Sequence, residues 1–222
     1  MWYTIIYSSI IPTGPLCGHR KRPVTDRARA LDLSQVTSLA NAFAFAEKGP
    51  LRLDAGLVVT WRHTELYDDD NWPRLQTELL DHATRFLRGR GITTAFLWVR
   101  ERATGHGAHT HFLLHLGHNP LPSCRALCGE LRRRFHFGPE GIHISMGEYG
   151  MLNVRMRAGQ FRYLLKGFDH QAFRYTGIGS ETENIADVLA IENRGPQGII
   201  NMKRCGTSQN ISYARAPPSG LA

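Results

Sequence analysis

The sequence predicts an α+β domain. Three patterns carry that expectation. Short runs of β-branched and aromatic residues read as strands, and longer stretches carry apolar residues at helical spacing. Breaks bearing Gly or Pro separate them in the order strand, helix, strand, strand, helix, strands, helix. The chain has 222 residues, which is room for one domain with appendages. With 42% apolar and 21% charged residues it can bury a core, and collagen, coiled-coil and disulfide-framework classes are excluded.

Residues 12–30 are rich in Pro, Gly and Arg and read as a basic arm. Residues 33–47 form a helix pattern, with Leu39, Phe43 and Ala46 on one side and Gly49-Pro50 as its stop. Residues 57–61 (LVVTW) are a strand. Asp68 to Asn71 supply capping chemistry and Pro73 suits a first helical turn. The helix that follows carries Leu75, Leu79, Ala83, Phe86 and Leu87 and stops at Gly89. Residues 94–101 and 109–116 are strands around a Gly- and His-rich turn, so the pair is a hairpin. Residues 122–137 are an amphipathic helix with a basic end. Residues 142–146 and 152–156 read as strands, and 160–168 as a helix after Gly159. This order fits a ferredoxin-like or RNA-recognition-like antiparallel sheet. Three regions result: a basic arm and helix (1–50), a central domain (51–175) and a partly irregular extension (176–222). Within the last, 202–211 reads as an ordered surface turn in preference to a DNA-contacting loop.

The net charge of +8 favours a polyanionic partner, nucleic acid before anionic membrane. No apolar run reaches the roughly 18–20 residues that span a bilayer. The apolar N-terminus precedes its basic residues, the reverse of a signal peptide, so a soluble cytoplasmic protein is expected. Cys124 and Cys128 share the spacing of Leu127, Leu131 and Phe135 and read as core positions. The alternative is a zinc half-site completed by Cys17 and Cys205.

The histidines are concentrated: seven of eleven lie between His106 and His143. In a strand, 109, 111, 113 and 115 point one way while Phe112, Leu114 and Leu116 point the other. Two imidazoles two residues apart sit ~7 Å apart at their Cα atoms and can converge on one divalent ion. A third ligand is needed. Glu101 ends the preceding strand and a short hairpin brings it beside His109 and His111; His115, deeper in the strand, competes with it. Two His and one carboxylate suit Mg²⁺ or Mn²⁺ when phosphate oxygens fill the remaining positions. His106, in the turn, reads as a solvated loop residue.

Downstream, the stretch NVRMRAGQFRYLLKGF carries Arg155, Arg157, Arg162, Tyr163 and Lys166. Tyr163 and Lys166 are three apart and share a helix face. A phenol, with an ordinary pKa of about 10, is a poor nucleophile at neutral pH unless an ammonium or a metal assists it. Residues 121–174 hold nine basic and four acidic residues, more than half of the net charge. Arg132, Arg133 and Arg134 belong to this surplus, and Phe161, Tyr163 and Phe168 are interleaved with it. Such a pattern suits a single strand, which offers phosphates to neutralise and bases to stack.

Three motifs in order resemble those of the HUH endonuclease superfamily, in its branch of single-tyrosine rolling-circle replication initiators. They are the Thr-containing strand LVVTW, the His pair in GHGAHTHFLLHL after a Gly-bearing turn, and YLLK at 163–166. The resemblance covers about residues 55 to 170. Thr110 departs from it, standing where the family has a bulky apolar residue. The resemblance implies a sheet with the His strand at its centre, helices on one face and a tyrosine-bearing helix over the site. It implies nicking and joining of single-stranded DNA at a plasmid or phage origin. His109, His111 and Glu101 would hold the metal, Tyr163 would form a 5′-phosphotyrosine, and Lys166 would assist charge or position. Arg132, Arg133, Arg134, Arg155, Arg157 and Arg162 would contact DNA. A host helicase and polymerase would be partners, since no G-x-x-x-x-G-K-[ST] loop is present. The same chemistry would suit a transposase; a relaxase usually places its tyrosine before the His motif. From another class, a non-catalytic single-strand-binding module would bind without metal and never become covalently attached. Amidohydrolases and cupins also use H-x-H, but need a larger barrel or more strands.

Overall fold

The computed structural model describes residues 30–103, 105, 107–145, 154–168, 198–200 and 203–212. The basic arm up to residue 29, His106, and most of the region beyond 168 lie outside them.

Helix α1 (Leu33–Lys48) starts at a capping box. The Asp32 side chain accepts from the Gln35 N–H at 2.8 Å, and the Gln35 side chain accepts from the Asp32 N–H at 3.0 Å. Two donors otherwise orphaned at the helix start are thereby satisfied. Strand β1 (Ala55–Thr60) follows, then α2 (Trp72–Arg88) with a Pro in its first turn and Gly89 as its cap. Strands β2 (Phe96–Ala103) and β3 (Gly107–Leu114) form the expected hairpin. Helix α3 (Pro120–Phe135) ends in His136, whose φ of 51° is left-handed, and leads to β4 (Ile142–Ser145). Helix α4 (Val154–Leu164) continues into a tighter turn, Leu165–Gly167.

The five strands form one antiparallel sheet in the order β4-β1-β3-β2-β5, with the His strand at its centre. Leu57, Val59, Trp98, Phe112 and Leu114 point to one face and pack under α2 and α3. Leu97, Val99 and Leu113 point to the other and pack under α1 and α4. Phe43 of α1 stacks on Phe161 of α4, centroids 4.4 Å apart and planes 5° off parallel. The expectation of helices on one face is therefore corrected: α1 joins α4 on the opposite face, the one that carries the histidines.

Two further readings are corrected. Of the strand expected over 152–156, residues 154–156 are helical, 152 and 153 lie outside the described residues, and Gly159 lies inside α4. The alternation of Leu152, Val154 and Met156 mimics a strand, whereas the buried stripe is Arg157, Phe161 and Leu164 at helical spacing. One member of that stripe is charged, which hides it from a hydrophobic pattern. The second correction concerns 202–211, where Cys205–Thr207 form the edge strand β5, paired with Leu97 to Val99. Among the described residues no helix is long and apolar enough to cross a membrane.

Candidate metal and tyrosine site

Register builds the site. Glu101 of β2 lies directly across from His109, and Val99 across from His111. Glu101, His109 and His111 therefore share the face under α1 and α4, and all three are buried. One carboxylate oxygen, Glu101 Oε2, lies 2.9 Å from His109 Nε2 and 3.2 Å from His111 Nε2. On its other side His109 Nδ1 lies 3.1 Å from the Gly107 carbonyl, which can only accept. With Nδ1 turned to that carbonyl, Nε2 is the ring nitrogen that faces the cluster and could serve as a metal ligand.

Lys166 completes the cluster. Its ammonium sits 2.8 Å from the same Glu101 oxygen and 3.2 Å from His111 Nε2. It also lies 3.5 Å from the centroid of the Tyr163 ring. Tyr163 in the last turn of α4 and Lys166 in the turn that follows are three residues apart on one face, so they meet. The Tyr163 ring stands edge-on to His111, with centroids 5.2 Å apart, and is 39% exposed. Tyr163 thus reaches solvent while its ring touches the cluster.

The charges are mutually dependent. Burial would raise the Glu101 carboxyl, but hydrogen bonds to His109 and His111 and the charge of Lys166 outweigh it and hold the group well below the usual carboxylate range. Burial lowers His111, against the opposing pull of Glu101. Ligand atoms of Glu101, His109 and His111 lie within 4.8 Å of one another. Glu101 Oε1 is buried without a hydrogen-bond partner. Two imidazole nitrogens, an ionised carboxylate and its unsatisfied oxygen form a donor set that fits a divalent cation.

The competing ligand is excluded. His115 lies beyond the end of β3, ~20 Å along the chain from His109. Its Nδ1 bonds the Arg52 carbonyl at 2.8 Å, with Asp54 at 3.7 Å. Burial pushes the Asp54 carboxyl up to about 6, against the Leu116 N–H and His115. Its folded value lies above the unfolded one, so the unfolded chain ionises first and stability falls as pH rises from about 4 through about 6. Urea unfolding across that range should show wild type losing about 1–3 kcal/mol relative to Asp54→Asn. Parallel curves would contradict it.

The basic residues divide. Arg162 is exposed on α4 beside Tyr163; Arg155 is on the same helix, its side chain outside the description. Arg157 is corrected: it is buried, and its guanidinium meets the Glu47 carboxylate at 2.9 Å. It ties α4 to α1 and does not present charge to DNA. Arg157→Ala would strand a buried carboxylate, so urea unfolding should show a loss of about 3–5 kcal/mol. Unchanged stability would contradict the pairing. Arg132, Arg133 and Arg134 are exposed but not brought to the Glu101, His109 and His111 cluster. They end α3 on the opposite face of the sheet, where Arg132 caps the Ile142 carbonyl at 2.9 Å and Arg133 pairs with Glu130 at 2.9 Å. Cys124 and Cys128 are core residues as expected, and Cys205 lies on the other face of the sheet, so these three cannot share a zinc ion. Cys17 lies outside the described residues.

The sequence reading missed the ion pair of Lys166 with Glu101, and the sheet row that continues from His111 through Val58 to His143. Strand parity on β4 was the available signal for His143. No protein-family model, curated protein or solved structure matches the chain.

Proposed function

We propose that the chain nicks and rejoins single-stranded DNA by tyrosine transesterification, as an HUH-type endonuclease that initiates rolling-circle replication of a plasmid or phage. The observation that carries this reading is the contact of the Tyr163 ring with His111 on the face that holds Glu101 and His109. The β-α-β-β-α-β run with β4-β1-β3-β2 adjacency supports its fold component, a ferredoxin-like sheet. Glu101, His109 and His111 would hold Mg²⁺ or Mn²⁺, which when bound polarises the scissile phosphate.

The Tyr163 phenol oxygen attacks phosphorus. A bond from phenol oxygen to phosphorus forms as the bond to the upstream 3′ oxygen breaks. The proton lost by the phenol balances the one gained by the 3′ oxygen, which leaves as a hydroxyl able to prime synthesis by a host polymerase. Attack by a 3′-hydroxyl on the phosphotyrosine reverses the step and joins strands. Lys166 holds positive charge against the Tyr163 ring, beside the phenol and phosphate oxygens on which negative charge would redistribute in the transition state. Arg162, exposed beside Tyr163, places positive charge where the strand approaches.

The test is a denaturing gel after incubation with origin-type single-stranded oligonucleotides and Mn²⁺. A slower protein band that a chelator abolishes supports the reading. The second reading, a non-catalytic single-strand-binding module, is favoured by the more open side of the same face, where Val58 and Thr60 are half-buried and His143 is exposed. Metal-independent binding with no covalent band would select it.

A further inference from the structure

On the back of the His strand lies a buried polar chain. Thr110, between His109 and His111, points to the opposite face and is fully buried. Its hydroxyl oxygen accepts from the Trp61 indole N–H at 2.9 Å. It donates to Gln76 Oε1 at 2.9 Å. The same oxygen accepts from Arg100 Nε at 2.7 Å. A guanidinium only donates, so the Gln76 amide must turn its oxygen this way, which fixes the direction of every bond in the chain. Arg100 is itself anchored to the carbonyls of Pro73 at 3.0 Å and Lys203 at 2.9 Å.

The placement matters more than the bonds. Thr110 stands between the two His ligands, and Arg100 pairs with Thr110 across the ladder and immediately precedes Glu101. One chain of hydrogen bonds therefore grips β2 and β3 from behind, at the residues flanking all three metal-ligating side chains in front. Alternate side chains share one backbone, so a shift on the back moves the front. A metal site tolerates displacements of only about 0.2 Å in its ligand distances. A bulky apolar side chain at 110 would pack but could not fix direction.

We infer that Thr110 is a positioning residue whose hydroxyl, held by Trp61 and Gln76, sets His109, His111 and Glu101 in register for a divalent cation. The inference rests on the metal reading above. It is tested on the full chain by Mn²⁺ titration, with free Mn²⁺ read by electron paramagnetic resonance, alongside thermal melting. Thr110→Val keeps shape and removes the hydroxyl, and should weaken Mn²⁺ binding about 10–100-fold while remaining folded. Thr110→Ser restores the hydroxyl and should bind within about threefold of wild type, a difference under 1 kcal/mol. Wild-type affinity in Thr110→Val, or a Ser variant as weak as the Val variant, overturns the inference. Should Thr110→Val fail to fold, Thr110→Ala, which differs from the Ser variant by the hydroxyl alone, decides: binding weaker than that of the Ser variant supports the inference and equal binding overturns it. Absence of Mn²⁺ binding by the wild-type chain overturns the metal reading, and this inference with it.

Discussion

Tyr163→Phe is expected to abolish covalent attachment to DNA while leaving DNA binding nearly intact. The substitution keeps the ring that meets His111 edge-on and supports the Lys166 ammonium, and removes only the oxygen that would attack phosphorus. Loss of a covalent nucleophile costs on the order of a million-fold in turnover. Loss of one hydroxyl from a half-exposed ring costs binding little, less than about tenfold by the usual worth of a hydrogen bond. Denaturing gels and fluorescence anisotropy on one labelled oligonucleotide separate the two effects. Equal loss of both would assign Tyr163 a role in folding or binding instead.

His111→Ala is expected to remove divalent-metal dependence and cleavage together. His111 Nε2 lies 3.2 Å from both the Glu101 carboxylate and the Lys166 ammonium, so it is a donor at the centre of the cluster. Outer partners of metal ligands are worth about 10–100-fold in affinity, so loss of a ligand itself should exceed about 100-fold. The Glu101–Lys166 ion pair survives the substitution and supports the local fold. Mn²⁺ titration and a nicking assay, with circular dichroism to verify folding, check this. Nicking that still responds to Mn²⁺ in the variant would refute the assignment.

Much of the site could be read from the sequence because it depends on local geometry. Strand alternation puts His109 and His111 on one face, a short hairpin returns Glu101 beside them, and a three-residue spacing joins Tyr163 to Lys166. The elements that escaped are set by partners distant in the chain. Arg157 is buried because Glu47 of α1 meets it, and without that partner a charged residue reads as surface and α4 loses its periodicity. Strand β5 holds Gly206, which reads as a turn. A Cβ there would lie 2.8 Å from the Trp98 ring, so close passage over an aromatic, not a turn, requires the glycine. The basic surplus of 121–174 was countable, but its division between two faces of a sheet was not, because α3 and α4 pack on opposite sides. Thr110, which weakened the family pattern, lies at the centre of a hydrogen-bonded chain whose other members come from three separate elements.

The central claim is that a phenol and a metal-held phosphate meet on one face of this sheet. Peptide mapping of the chain after reaction with an origin oligonucleotide tests it most directly. A 5′-phosphorylated nucleotide is expected on the peptide containing Tyr163, formed with Mn²⁺ and absent with chelator. Attachment at another residue, or none while the DNA is bound, would contradict it.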